Sequence, residues 1–188
     1  MLQGDLVLEE RLVFRRLWKA KAPSGSLALA WRVLIGKVQT KIDLARRNAL
    51  PVNTSLSCGL CAVEEESCKH LFFTCGVSWK VWMEICFWLG VHTAFSCEAE
   101  SHFYLHENLI SCKMKDGKIM NLIWIAVVNS IWQTRNGSVF SGVGVEVVRI
   151  VELVKYKVWL WLRTHDRNFI SSFYEWENNP KECIAMLH

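Results

Sequence analysis

Apolar residues recur at helical spacing in the first fifty residues, and this pattern predicts a helical unit there. The first predicted helix ends before Pro23. Its apolar positions are Leu12, Phe14, Leu17 and Trp18. A second helix is predicted to start near Ser26 and to place on one face Leu27, Ala30, Trp31, Leu34 and Val38. Thr40 is predicted to cap a third, shorter helix, which ends before Pro51 because the residue before a proline disfavours helical geometry.

Residues 52–76 interrupt the helical pattern. They consist of short polar stretches with paired cysteines and the acidic run Glu64-Glu65-Glu66, which we interpret as a solvated loop. A segment this short and polar has too few apolar side chains to fold by burying them. Something other than apolar burial must therefore stabilise it.

Helical spacing returns after residue 76. Ser78 is predicted to cap a helix that Gly90 ends, with apolar positions at Trp79, Trp82, Cys86 and Leu89. Residues 91–118 are mixed in character and are predicted to form a loop or linker.

Two longer apolar helices follow this linker. The first runs to about Asn136-Gly137, and the second begins at Val147 after a turn containing Gly142 and Gly144. A short connection of this kind predicts an antiparallel pair. The uncharged run 119–134 is interrupted by Asn121, Asn129, Ser130 and Gln133 and is shorter than the ~20 apolar residues of a membrane span. We therefore predict a buried helix and no membrane partner.

These elements predict a mainly α fold with three parts. Residues 1–90 would form a helical domain around the polar segment, 91–118 a linker, and 119–188 a C-terminal helical region. The expected architecture is bundle-like, with a small metal-binding knuckle inserted between helices.

The composition fits one folded domain or two small ones, since the chain has 188 residues of which 52% are hydrophobic and 21% charged. Eight cysteines would suggest disulfides in a secreted protein. The first residues, however, lack a basic region followed by an apolar one, so we do not expect secretion. The cysteines are then reduced thiols, metal ligands or core residues, and the compartment is nucleus or cytoplasm.

Charge is distributed unevenly along the chain. Up to residue 50 there are ten Lys and Arg against four acidic residues, whereas acidic residues outnumber basic ones between 51 and 100. A basic first third is compatible with binding to nucleic-acid phosphates. It is equally compatible with the solvated faces of amphipathic helices.

The polar segment contains a pattern typical of zinc ligands. Cys58-Gly59-Leu60-Cys61 is followed after eight residues by His70 and after four more by Cys75. Two thiolates two residues apart can wrap one side of a tetrahedral ion, and Gly59 would ease the turn. His70 and Cys75 would complete a closed, structural site for one Zn2+. Three alternatives remain: a redox Cys-x-x-Cys pair, replacement of His70 by Cys68 as the fourth ligand, and a degraded site.

Several motifs together resemble a known family. They are Leu17-Trp18-Lys19-Ala20-Lys21-Ala22-Pro23, Ala30-Trp31-Arg32, Arg46-Arg47, Cys58-x-x-Cys61, His70-Leu71-Phe72-Phe73-x-Cys75 and Trp88-Leu89-Gly90. This set is similar to the zinc-binding domain at the C-terminal end of plant LINE-type (non-LTR) retrotransposon reverse transcriptases, over residues 12–90. The later motifs Ile131-Trp132-x-x-Arg135-Asn136 and Trp176-x-x-Asn179-Pro180-x-x-Cys183 resemble the tail that follows it.

The resemblance implies zinc at Cys58, Cys61, His70 and Cys75, and a role in contact with RNA or single-stranded DNA. We expect the phosphate contacts to come from Lys19, Lys21, Arg46 and Arg47. One departure weakens this expectation slightly. The family often has a lysine soon after the proline, whereas here Pro23 is followed by Ser24, Gly25 and Ser26.

No enzymatic activity is expected. The sequence has no aromatic-x-Asp-Asp motif and no set of carboxylates suited to holding two magnesium ions. Two other hypotheses stand beside nucleic-acid binding. The helices carrying Trp79, Trp82 and Trp88 would dock onto a polymerase or a second copy of the chain, or the chain is an inert retroelement remnant.

Overall fold

The computed structural model describes residues 12–107 and 117–187, and these are mainly helical. The helices are α1 (12–19), α2 (Ser24–Leu34), α3 (Lys41–Arg46), α4 (Gly76–Trp88), α5 (Ala99–Glu107), α6 (Lys118–Ser141), α7 (Val147–His165), α8 (Phe173–Asn178) and α9 (Pro180–Ala185), with a π-helical turn at His70–Thr74. In these two ranges no strand forms, and the Cys and His residues of the polar segment lie between helices. The predicted fold class is therefore confirmed.

Helix α6 is the centre of the core. All residues from 119 to 128 are buried, including Trp124, and α6 contacts α2, α4, α5, α7 and the π-helical turn. A helix that is apolar on every side can be stable only if other elements surround it. Among the described residues, no helix has both the length and the hydrophobicity that a membrane crossing needs.

Helices α6 and α7 pack together as an antiparallel pair, as their sequence predicted. Residues 142–146 connect them, and Lys157 of α7 donates hydrogen bonds to Asn129 Oδ1 (2.6 Å) and Gln133 Oε1 (2.8 Å) of α6. Lys157 and Asn129 lie at similar distances along the chain from the connection, so the two helices run in opposite directions.

Left-handed glycines mark several helix ends more accurately than the apolar pattern does. Gly36, at φ +62°, follows α2, which stops at Leu34 although the apolar pattern continued to Val38. Gly142, at φ +64°, ends α6 at Ser141, beyond the predicted end near Gly137. Gly90 ends α4 as predicted, and its φ is +57°. Only glycine adopts this conformation without steric cost, so these positions stop the helices.

The predicted apolar faces are partly wrong. In α1 the buried residues are Val13 and Leu17, whereas Trp18 is 53% exposed. In α4, Trp82 is buried as predicted but Trp79 is 50% exposed. The prediction placed the large tryptophan side chains on the buried face of each helix. In the structure smaller apolar residues occupy the buried face.

Helix α5 lies within the stretch predicted as a loop or linker. Its buried side chains are His102, Phe103 and His106, so two of its three core positions are residues that usually indicate a polar surface. This is why the apolar pattern missed the helix. Residues 108–116 of the predicted linker, which include Cys112, lie outside the described residues. Residues 1–11 also lie outside them.

The two buried histidines of α5 pack against the aromatic core. Nε1 of Trp124 donates to Nδ1 of His102 at 3.1 Å, and the ring of Trp82 lies 4.4 Å from that of His102 and 5.6 Å from that of His106. Burial lowers the pKa of His102 to about 4. Burial and then the neighbouring charge of His102 lower the pKa of His106 to about 3. Both rings are therefore neutral in the folded protein at neutral pH.

This predicts a loss of stability in mild acid. Below pH ~6.5 the unfolded chain binds protons at both histidines before the folded protein does, so the free energy of unfolding falls as pH decreases from about 6.5 toward 4. His106→Leu should make this pH dependence shallower in urea unfolding curves. The exposed His92→Gln variant, measured alongside, should keep the wild-type slope; equal slopes for all three proteins would contradict the prediction.

Candidate metal centre

A tight loop holds the first two cysteines of the cluster. Residues Ser57 and Glu65 pair through an isolated bridge, and the amide of Cys58 donates to the carbonyl of Glu64 at 2.7 Å. The amide of Glu66 donates to the carbonyl of Leu56 at 2.8 Å. These backbone bonds close the chain on itself and bring Cys58 and Cys61 to one end of the loop.

The other two residues come from the π-helical turn. His70 begins it and Cys75 follows it, and the amide of Cys75 donates to the carbonyl of His70 at 2.7 Å. Cys75 also occupies the N-cap of α4, so α4 begins at Gly76 and not after Ser78 as predicted. Ser78 instead donates its hydroxyl to the carbonyl of Leu71 at 2.5 Å. A π-helical turn of this kind often occurs at a functional site.

The structure brings Cys58, Cys61, His70 and Cys75 together, with one donor atom of each within 4.8 Å of all the others. The sulfurs of Cys58 and Cys75 are 4.0 Å apart, and Sγ of Cys61 lies 3.3 Å from Nε2 of His70. Tetrahedral zinc with bonds of about 2.0–2.3 Å requires donor separations of roughly 3.5–3.8 Å. The group therefore fits one structural Zn2+ with four protein ligands.

The thiols of Cys58 and Cys75 are buried and contact each other. The hydrogen bond between Cys58 and Cys75 raises the pKa of Cys58, which burial raises further, and lowers the pKa of Cys75. Zinc binds thiolates, so loading the site releases protons and couples metal binding to pH.

The carboxylate of Glu64 lies close to the His70 ring. Its Oε2 is 3.1 Å from Nδ1 of His70, while Nε2 of the same ring faces Cys61. The Glu64 side chain is 66% exposed, which agrees with its predicted place in a solvated loop.

Cys68 lies outside the four-residue group. Its sulfur points to the carbonyl of Val33 at 3.9 Å, and burial together with the charge of Asp43 raises its pKa to about 12. The donor atom of His70 is one of the four that lie within 4.8 Å of one another, and the sulfur of Cys68 is not. Of the two alternatives for the fourth ligand, the geometry favours His70. Cys58 and Cys61 also contact Cys75 and His70 respectively, so they belong to a four-residue cluster and do not stand alone as a redox Cys-x-x-Cys pair would.

Gly59 is required for a reason different from the predicted one. A Cβ atom at this position would lie 2.7 Å from Cγ2 of Val139 and 3.3 Å from Cγ of Arg135, both on α6. The loop therefore needs glycine because α6 packs directly against its backbone. The ease of the turn is not the deciding factor, since the backbone of Gly59 is not left-handed.

Glu66 and Arg135 form a buried ion pair that sequence reasoning missed. Nε of Arg135 lies 3.0 Å from both carboxylate oxygens of Glu66, and the two side chains are 4% and 0% exposed. The backbone amides of Gly59 (2.9 Å) and Lys41 (3.1 Å) also donate to this carboxylate. One buried carboxylate thus joins the cysteine loop, the start of α3, and α6. The interpretation of the acidic run as solvated is wrong for Glu66. The available sequence signal for Arg135 was the Trp132-x-x-Arg135-Asn136 motif.

The structure divides the four predicted phosphate-binding residues between two places. Lys19 and Lys21 line one cavity, and Arg46 lines another. All four side chains are exposed. Arg46 is 3.7 Å from Asp43, so part of its charge is already compensated.

Metal analysis should separate the two candidates for the fourth ligand. We expect the wild-type protein to hold one equivalent of zinc by inductively coupled plasma mass spectrometry, and Cys58→Ser and His70→Ala to lose it. Cys68→Ser, which changes a thiol beside the site, should retain it. Retention by His70→Ala with loss from Cys68→Ser would contradict the geometry.

The buried ion pair should be essential for stability. Arg135→Met leaves the carboxylate of Glu66 buried without its cation, which costs about 3–5 kcal/mol of unfolding free energy in urea titrations of the zinc-loaded protein. The double variant Glu66→Gln/Arg135→Met should recover part of this loss. Lys69→Ala, which breaks the exposed pair with Glu98, serves as the control and should have little effect. An Arg135→Met variant as stable as this control would show that the pair is unimportant.

Comparison with known proteins supports this interpretation of the site. A family described as zinc-binding in reverse transcriptase matches residues 6–82, a range that contains all four residues of the cluster and is under half of the chain. No curated protein and no solved structure matches the chain. The family description does not extend to plants or to LINE-type elements, so these finer assignments stay predictions. Residues 6–82 thus match the zinc-binding domain of reverse transcriptase, the family predicted from the sequence.

Proposed function

We propose that this chain is a non-catalytic module of a retroelement reverse transcriptase that binds RNA or single-stranded DNA through Lys19, Lys21, Arg46 and Arg47. The observation that carries the proposal is the exposure of all four basic side chains within residues 6–82, the segment that matches the zinc-binding family. Reverse transcription uses a nucleic-acid template, so a domain found in such an enzyme works beside one. Phosphate contacts by exposed Lys and Arg supply most of the affinity in binding of this kind.

The zinc-binding loop positions the arginines of α3. Nζ of Lys41 donates to the carbonyl of Ser57 at 2.7 Å, and the amide of Ile42 donates to the carbonyl of Glu66 at 3.3 Å. Thr40 caps α3 as predicted, because its hydroxyl accepts from the amide of Asp43. A helix of six residues has little stability alone, so these contacts support Arg46 and Arg47 at its far end.

Trp18 supports the proposal more than the aromatic residues near the metal site do. Phe72 cannot stack on bases, because it is fully buried and packs against Trp132, with ring centroids 6.4 Å apart. Trp18 is half exposed and adjoins Lys19. An exposed indole beside a lysine is typical of surfaces that bind unpaired bases.

The matched family is a zinc-binding domain and not a catalytic one, in agreement with a role without enzymatic activity. The four donor atoms of the cluster would fill every position around a tetrahedral ion. Such a closed site leaves no place for a reacting water molecule, so its zinc would be structural.

A specific surface favours the second candidate, a protein-docking module. Trp79, Met83 and Phe87 recur every four residues along α4 and are all exposed, Phe87 to 80%. Of the other two tryptophans considered for docking, Trp82 is in the core and Trp88 packs edge-to-face against Trp176. An apolar stripe of this kind suits a partner helix, such as one of a polymerase or a second copy.

Nucleic-acid binding should depend on the predicted basic residues. We expect a labelled single-stranded RNA to bind the zinc-loaded protein in fluorescence anisotropy, with an affinity that falls as salt rises. Lys19→Ala/Lys21→Ala should weaken binding and reduce the salt slope by about 0.7 per lost contact. Arg46→Ala/Arg47→Ala should have a smaller effect, because Asp43 already compensates Arg46.

Lys80→Ala, on the exposed side of α4, provides the matched control and should bind as the wild type does. Absence of detectable binding at low salt, or equal binding by all variants, would overturn the proposal. Self-association abolished by Phe87→Ser, without RNA binding, would favour the docking function instead.

A further inference from the structure

A cavity of about 300 Å³ lies where α1, the start of α6 and the end of α7 meet. Its charged and polar lining consists of Lys19, Lys21, Lys118, His165 and Asp166, and its apolar lining includes Ile119, Leu122, Trp161 and Leu162. The volume is at the lower end of the range for small-molecule sites, about 300–1,000 Å³. It suits a ligand with the bulk of a single nucleotide.

The charged part of the cavity favours an anion. Three lysines and one aspartate line it. Nζ of Lys21 donates to the carbonyl of His165 at 2.9 Å and lies 4.0 Å from Asp166, while its side chain stays 59% exposed. These contacts hold the ammonium group of Lys21 at the cavity without covering it. A phosphate placed between the lysines would gain several charge-assisted hydrogen bonds.

The other part of the cavity is apolar and rigid. Ile119, Leu122, Trp161 and Leu162 belong to the packed core of α6 and α7, and each exposes less than a tenth of its surface. A flat ring system can rest against such a surface without disturbing it. Phosphate alone would leave this part of the lining unused, whereas a nucleotide would contact both parts.

We propose that this cavity binds one unpaired nucleotide, with its phosphate at the three lysines and its base against the apolar residues. The inference rests on the proposed nucleic-acid function and adds to it the place where a base is held. It also assigns a role to Lys118, Trp161 and His165, which lie outside the segment that matches the family.

A second cavity, of about 430 Å³, suits a phosphate less well. It is lined by Arg46 and Lys69 but also by Asp43, Glu98 and Glu100. Lys69 already pairs with Glu98, and Arg46 with Asp43. With two basic and three acidic side chains in its lining, this cavity would repel an anion more than attract it.

The test uses the zinc-loaded full chain and three probes: uridine 5′-monophosphate, inorganic phosphate and a labelled oligouridine. Amide signals of residues such as Leu122 and His165 should shift on titration with the nucleotide in NMR spectra, at concentrations about tenfold lower than with phosphate. Lys19→Glu should weaken binding of nucleotide and oligouridine about tenfold. Lys80→Glu, exposed and away from the cavity lining, makes the same charge change and should leave the nucleotide affinity unaltered.

The outcomes show separately whether the nucleotide binds in the cavity and whether the protein binds nucleic acid. If oligouridine binds but Lys19→Glu behaves as Lys80→Glu does, the cavity assignment is wrong and the nucleic-acid function stands. If the nucleotide binds in the cavity but oligouridine does not bind, the assignment stands and the function is wrong. Equal affinity for phosphate and nucleotide would show an anion site without base recognition and would overturn the proposal.

Discussion

The rest of the structure depends on the buried ion pair between Glu66 and Arg135. Transferring both charges from water into the core is costly, and the cost is recovered only because each carboxylate oxygen accepts from Arg135 and from a backbone amide. Those amides belong to the cysteine loop and to the start of α3. The loop, α3 and α6 must therefore assemble together, because no one of them can satisfy Glu66 alone.

Metal binding and this ion pair would fix the position of the cysteine loop in different ways. The segment around Cys58 and His70 has too little apolar surface to fix its own conformation, and zinc would fix it locally by linking the loop to the π-helical turn. Zinc would not, however, link the loop to α3 or α6, since neither helix supplies one of the four ligands. Arg135 does so from α6, and the close packing of Val139 on Gly59 excludes any side chain between them. A local link and a long-range link together give the segment a single position.

Sequence reasoning succeeded where the physical constraint is local and failed where it is long-range. The spacing of Cys58, Cys61, His70 and Cys75 was readable because four ligands must converge on one point, and the caps and glycine stops of Thr40 and Gly90 act within a few residues. The burial of Glu66 depends on a residue 69 positions away, so the acidic run alone could not distinguish it from its exposed neighbour Glu65. The apolar pattern did not predict helix α5, because histidines occupy two of its core positions. His102 is buried there against Trp82 and accepts a hydrogen bond from Trp124, and neither contact can be read from the local sequence.

The segment that matches the family does not bury its own surface. Phe72 packs on Trp132, the cysteine loop packs on Val139, and Lys21 bonds to the end of α7. Each of these partners lies beyond residue 82, where the match ends. The helices that follow therefore complete the structure around the metal site. The surface offered by Lys19 and Lys21 is likewise shared, since α6 and α7 supply the apolar side of the cavity those lysines line. Any ligand bound there contacts both parts of the chain, so zinc-dependent folding of one part and packing of the other would both control its affinity.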